Sequence, residues 1–291
     1  MKNKTLLNSK EKVFSFEFFP PKNEKGEENL FIAIEELKKL SPDYVSVTYG
    51  ALGSSQDKSL SITRKIQNEI GLNVMAHYTC IGATHEKVDA FLKDLEDAGV
   101  VNILALRGDA PHGMDISEAL KESPFNYATD LVRYIREKTG EKFSIGVAGY
   151  PERHPECSNF DEDLKHLKEK VDAGADFIVT QLFFDNKDFF TFKEKAEESG
   201  INVPIIPGII PIENYNQIQK ITSLCGAKVP EVIKENFSDE TLSEEDKLAF
   251  GLDYTTKQCE ELLDAGVRGI HFYTLNKSVS TREIFTRLKL G

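Results

Sequence analysis

An α/β fold closed into a single (β/α)8 TIM barrel is what this 291-residue sequence predicts, and three observations carry it. Short β-branched or aromatic runs alternate eight times with longer charged stretches whose apolar residues recur at three- and four-residue spacing. The first seven runs begin about 27 to 42 residues apart, the length of one strand-plus-helix unit. Several helical stretches end at glycine (Gly99, Gly174, Gly200, Gly266), the residue that closes a helix in the left-handed conformation and returns the chain to the next strand.

The strands are expected at 13–18, 44–49, 73–79, 101–106, 143–148, 176–180, 203–207 and 269–274. The helices between them are expected at 27–40, 57–70, 85–98, 127–139, 161–174, 187–199, 214–224 and 246–265. The last interval is longer: Lys228-Val229-Pro230 and Glu235 to Glu240 read as an inserted short helix and an acidic loop, and 278–290 reads as a tail helix on the barrel's outside. The barrel therefore carries extra helices near the C-terminus, and residues 1–291 are expected to be one catalytic domain. An open doubly wound sheet is the alternative, but no G-x-G-x-x-G follows the first strand.

Composition excludes some partners. A net charge of -12 argues against nucleic acid, which needs clustered Lys and Arg. No apolar run is long enough for a membrane span, and Met1 to Asn8 lacks a signal-length apolar core, so a cytoplasmic protein is expected. Cys80, Cys157, Cys225 and Cys259 form no C-x-x-C pair; His77 and Cys80 have ligand-like spacing with no second pair, so no metal is expected.

Barrel chemistry lies at the C-terminal strand ends, and these are polar. They carry Glu17, then Thr48-Tyr49-Gly50, His77-Tyr78-Thr79, Arg107-Gly108-Asp109, Tyr150 to His154, Thr180-Gln181, Pro207-Gly208 and Tyr273 to Asn276. Glu17 stands out because Phe14-Ser15-Phe16-Glu17-Phe18-Phe19 sets a carboxylate among aromatics before Pro20 and Pro21 end the strand. Desolvation by those aromatics would raise its pKa toward neutrality, where it could deliver a proton. Alternation also allows a plainer role, an exposed strand residue facing away from buried phenylalanines.

Seven segments resemble the motif series of methylenetetrahydrofolate reductases, in the family's order and over nearly the whole chain. They are Ser15 to Lys22, Ser46 to Ala51, Leu106 to Asp109, Tyr150-Pro151-Glu152, Thr180 to Asp185, Pro207 to Pro211 and His271 to Asn276. The resemblance implies an FAD enzyme that reduces 5,10-methylenetetrahydrofolate to 5-methyltetrahydrofolate with NAD(P)H, NADH by analogy with bacterial relatives. It implies ping-pong hydride transfer, a supply of methyl groups for methionine synthesis and a homo-oligomer. The family's eukaryotic members append a regulatory domain, which this chain is expected to lack.

By the same resemblance Glu17 is the general acid that protonates folate N10 as it leaves, Asp109 favours the iminium cation, and Gln181 serves both nicotinamide and pterin with its donor and acceptor. FAD-binding positions carry over at Thr48, Tyr49, Ala51, His77, Arg107, Gly108 and Asp109, and further along at Ala128, Tyr150, His154, Cys157, Asp163, His166 and Lys170. Arg107, His154 and Lys170 suit pyrophosphate or ribose. Substrate positions are Thr48, Asp109, Gln181, Gln217 and Lys277; Lys277 keeps the charge of the Arg common in bacterial relatives but loses its fork. Ile221 replaces an aromatic seen in some relatives. Rival readings are a proline-dehydrogenase-like flavoprotein, which needs no acid for N10, and a carrier that binds flavin or folate without turnover. A Schiff-base or phosphate-binding barrel lacks its strand-end lysine and Gly-rich loop.

Overall fold

A computed structural model of the chain describes residues 1–49, 53–108, 118, 120 and 123–290, with the side chains of 53–56 left aside. The first half of the barrel runs α1 (Asn3–Ser9), β1 (Val13–Phe18), α2 (Glu24–Lys38), β2 (Tyr44–Val47), α3 (Gly53–Lys65, continuing into a π-helical turn Ile66–Ile70), β3 (Val74–Thr79), α4 (His85–Asp97) and β4 (Asn102–Leu106). The second half runs α5 (Ala128–Thr139), β5 (Ser144–Gly149), α6 (Phe160–Asp172), β6 (Phe177–Thr180), α7 (Asn186–Glu198), β7 (Ile205–Ile206) and β8 (Gly208–Ile209). It closes with α8 (Tyr215–Cys225), α9 (Glu231–Ser238), α10 (Glu244–Asp264), β9 (Gly269–Tyr273) and α11 (Val279–Arg287). No helix among the described residues is long and apolar enough to cross a membrane.

Every ladder is parallel, in the order β7-β6-β5-β4-β3-β2-β1-β9-β8. The two end pieces are neighbours in the chain, so the expected seventh strand is one strand split at Pro207. Its first half pairs with β6 and its second with β9. Proline has no N–H to give the ladder, and here its carbonyl accepts from the His271 N–H (2.9 Å), so the barrel closes through the break. The glycines expected to end helices do so: Gly99, Gly174, Gly200 and Gly266 all have positive φ.

α1 is an element that the sequence reading lacks. Leu6 and Leu7 pack with Val13, Tyr44, Met75, Leu104 and Phe177 inside the barrel. The Asn3 and Lys4 amides donate to Asn102 Oδ1 (2.6 Å) and Ser144 Oγ (2.9 Å). This seals the N-terminal end of the barrel and leaves the other end for chemistry. The tail helix α11 lies outside, as expected, with Phe285 edge-on to Phe14 and Phe16. The extra helices form a separate apolar cluster of Ile210, Ile212, Ile218, Ile233 and Phe237. α10 comes so close to it that a Cβ on Gly251 would sit 2.0 Å from the Ile212 carbonyl oxygen.

Strand β1 alternates strictly. Phe16 and Phe18 join the core under the helices, and Val13 joins the barrel interior. Ser15 and Glu17 share that inner face, so the phenylalanines beside Glu17 in sequence point away from it in space.

Candidate active site

Glu17 ends β1 at the open end of the barrel. Its neighbours are set by register: in parallel ladders Glu17 stands beside Ser46 on β2 and Tyr273 on β9, while Ser15, one layer below, stands beside Tyr44 and His271. His271 Nε2 lies 3.1 Å and His77 Nε2 3.4 Å from Glu17 Oε2, and Ser46 Oγ donates to the same oxygen at 3.4 Å. Thr274 Oγ1 donates to the Glu17 carbonyl (2.7 Å), fixing the strand end.

These contacts reverse the expected titration. Burial pushes the Glu17 carboxyl up, but the electrostatic influence of the His77 and His271 imidazoles, the His271 hydrogen bond and the Ser46 hydroxyl outweigh it and hold the group below the ordinary carboxylate range. The aromatic neighbours that were to keep it protonated face the helices, and imidazoles take their place. Burial drives His77 itself down to about 4, against the raising effect of Glu17, so His77 is uncharged at neutral pH.

A cavity of about 800 Å3 opens above Glu17 and extends over β4 to β6. Glu17, Thr48, Tyr49, His77 and Gln181 line its inner end. Arg107, Gly108, Ala128 and Tyr150 line its middle, and His154, Cys157, Asp163, His166 and Lys170 its outer wall. The sequence reading thus converges on one cavity from six strand ends.

Local structure explains the outer wall. Asp163, in the first turn of α6, accepts from the His154 amide (3.0 Å) and the Cys157 thiol (3.6 Å), pinning the loop after β5. His154 Nδ1 accepts the Glu156 amide (3.1 Å), and burial lowers its pKa, so it presents an uncharged ring. Arg107 forks onto Glu156 with bonds of 2.6 and 2.8 Å. The Lys170 amine donates inward to the Ala148 carbonyl (2.7 Å), and burial pushes it down to about 8. Tyr127 stacks on His166 at the rim. Gly108 has φ +86, and a Cβ there would lie 2.7 Å from Thr79 Cβ.

Three side chains to which the sequence reading gave no role support the inner end. Tyr273 donates to the Thr180 carbonyl (2.6 Å), and Thr180 Oγ1 accepts the Gly208 amide (3.0 Å), tying β9, β6 and β8 beside Gln181. Gln181 Oε1 accepts the Leu182 amide (2.9 Å), which leaves its NH2 as the available donor. His271 and Ser46 are the others; their signal was the inward parity they share with Ser15 and Glu17 across the ladders.

Two substrate positions lie apart. Gln217 and Lys277 are not on the cavity wall; Gln217 is in the first turn of α8, and Lys277 is exposed and paired with Glu213 (2.7 Å). Ile221, on the same helix, does line the cavity. Ala51 and Asp109 lie outside the described residues.

A family model described as methylenetetrahydrofolate reductase matches residues 2–289. The chain is 41% identical over 305 residues to methylenetetrahydrofolate reductase (NADH) 1 of Arabidopsis thaliana, covering 99% of this chain and 50% of that one. It is 38% identical over 264 residues to 5,10-methylenetetrahydrofolate reductase of Escherichia coli (strain K12), covering 91% and 86%. The chain thus spans about half the length of the plant relatives it matches and most of the bacterial one. Among solved structures, an uncharacterized protein from Clostridium thermocellum that binds two copies of 5-methyl-5,6,7,8-tetrahydrofolic acid superposes with a TM-score of 0.63. The two are 15% identical, with 100% of this chain and 96% of that one covered, a likeness of fold.

Proposed function

This chain belongs to the methylenetetrahydrofolate reductase family, and from that premise we propose that it reduces 5,10-methylenetetrahydrofolate to 5-methyltetrahydrofolate with FAD and NADH. The observation that carries the reading is that one cavity is lined by an acid, Glu17, an amide, Gln181, and the side chains of Arg107, His154 and Lys170. The NADH in the names of plant relatives supports that co-substrate.

The residues present fit FAD. The cations Arg107 and Lys170 on the cavity wall suit a pyrophosphate, and the Tyr127–His166 stack an adenine. Bound FAD would supply the hydride carrier between nicotinamide and folate. Arg107 would then share its guanidinium between Glu156 and phosphate oxygens. One open inner end for both substrates favours their binding in turn, the ping-pong order.

Glu17 has the reach of a proton donor to N10 of a pterin lying over the strand ends. A substrate that covers it removes its remaining water, which moves the carboxyl back up and makes the protonated form accessible. The Gln181 NH2 can donate to a carboxamide or pterin oxygen. Asp109, following Gly108, is the proposed partner of the folate, with Gln217 and Lys277 at its outer end; Lys277 must release Glu213 to meet a glutamate tail.

Anaerobic stopped-flow tests the reading. Flavin absorbance should bleach with NADH and return with methylenetetrahydrofolate; a purified protein without flavin, or a reduced flavin that this folate leaves unoxidised, overturns it. Glu17→Gln should spare the NADH half-reaction and stop the folate one. Equal loss of both would make Glu17 structural.

A further inference from the structure

Among the described residues, all three side-chain contacts to the Glu17 carboxylate fall on one oxygen. His271, His77 and Ser46 converge on Oε2, at 3.1, 3.4 and 3.4 Å, and none of them touches Oε1. Behind His271, its Nδ1 lies 2.7 Å from Ser15 Oγ. The His271 ring is fully buried, stacked on Tyr44 (centroids 6.3 Å, 19°) and edge-on to Tyr273 (5.3 Å, 88°).

This geometry fixes protons as well as heavy atoms. A carboxylate oxygen only accepts, so the His271 hydrogen that meets it is on Nε2. In the neutral ring Nδ1 is then a bare acceptor, and the group placed to donate to it is the Ser15 hydroxyl. The Tyr44 hydroxyl, buried and otherwise unpartnered, faces Ser15 from the next strand. We propose that His271, held as its Nε2–H tautomer by Ser15, is a positioning residue that anchors Glu17 through Oε2 and so makes Oε1 the oxygen that carries and delivers the proton.

Oε2, already accepting an N–H and a hydroxyl, has no room for a hydrogen of its own; Oε1 has. The anchor also stabilises the charged form, which strengthens Glu17 as an acid once a bound substrate has raised it. The groups facing Glu17 are Ser46 and Tyr44 from β2, His77 from β3 and His271 and Tyr273 from β9; those facing His271 are Glu17, Ser15, Tyr44, Tyr273 and His77. His77 Nε2, 3.4 Å away, makes no hydrogen bond, so among the described residues His271 is the imidazole hydrogen-bonded to the carboxylate. The inference rests on Glu17 being the acid of the proposed reaction.

Two measurements on the flavin-loaded protein test it. With ring-15N histidine, the chain's six histidines are few enough to resolve, and His271→Gln identifies the signal of interest. Hydrogen on Nε2 and a bare Nδ1 are expected; the opposite tautomer overturns the proposal. Ser15→Ala should let the second tautomer appear, and an unchanged spectrum overturns the role of Ser15.

The second measurement is the pH profile of single-turnover flavin reoxidation by methylenetetrahydrofolate. His271→Met should move the falling limb upward by about one unit, because the carboxylate loses a charge-stabilising donor, and should lower the plateau about tenfold. His271→Gln, which keeps an N–H near Nε2, should recover part of both. In a Glu17→Gln background His271→Met should cost nothing more. If Glu17→Gln leaves folate reduction intact, the acid assignment fails and takes the anchor with it. If Glu17→Gln stops it while His271→Met leaves the limb in place, the anchor alone fails.

Discussion

His77 makes the stability of this protein depend on pH in a window that can be worked out. Its pKa falls from 6.5 in the unfolded chain to about 4 in the folded one, because burial strips water from the imidazolium. Between those values the unfolded chain binds the extra proton. Stability therefore rises with pH across the window; the contribution is fully present above 6.5 and is lost as pH falls through the folded value. The full difference is about 3 kcal/mol, at 1.36 kcal/mol per unit. About 2 kcal/mol of it falls between pH 5 and 6.5, where Glu17 stays ionised in the folded protein. His77→Gln removes this titration whatever else it does to the baseline. Urea unfolding of both proteins at equal, saturating flavin, from about pH 5 to 7.5, should give a wild-type slope steeper than the variant's by up to one proton, or about 1.4 kcal/mol per pH unit. His154 and the carboxylates contribute to both curves and cancel. Parallel curves would show that His77 is charged or hydrated in the fold, and the argument for an uncharged imidazole beside Glu17 would fall.

Gly208→Ala should destabilise by about 2 to 3 kcal/mol in thermal unfolding, because the new Cβ would stand 2.3 Å from the Thr180 carbonyl oxygen and 2.7 Å from the Tyr273 hydroxyl. Unaltered melting would mean that β6 and β9 can part there freely. Lys170→Met should weaken FAD binding tenfold or more, read by flavin fluorescence titration. In the wild type, affinity should decline above about pH 8 as the buried amine loses its charge; a flat profile in both proteins would remove Lys170 from the anion site. Arg136 holds Asp176 (2.6 Å) and the carbonyls of Gly174, Gly140 and Phe143. Arg136→Met leaves that buried carboxylate to Lys4 and the Ile145 amide and should cost about 3 kcal/mol in urea unfolding, a loss that a midpoint within a few tenths of a kcal/mol would contradict.

By itself the sequence determined the barrel and the polar residues that its strand ends carry. Strand spacing, helix-ending glycines and polar residues at strand ends are local properties, set by propensity and by the periods of strand and helix, so a window of a few residues contains them. That is why Glu17, Arg107 and Gln181 were legible as strand-end residues before any coordinates, while Lys170, on a helix, was named only through the family resemblance. The tertiary structure decided which parts meet. Ser15 and Glu17 reach His271 across a separation of 256 and 254 residues, through the ladder that joins the first strand to the last. The aromatics nearest Glu17 in sequence lie on the opposite face of its strand, because side chains alternate with a period of two. The environment of the carboxyl, and with it the direction of its pKa, therefore came from residues that no local window holds. The closure at Pro207, the plug made by α1 and the capture of Lys277 by Glu213 are contacts of the same kind, fixed only when the chain returns on itself.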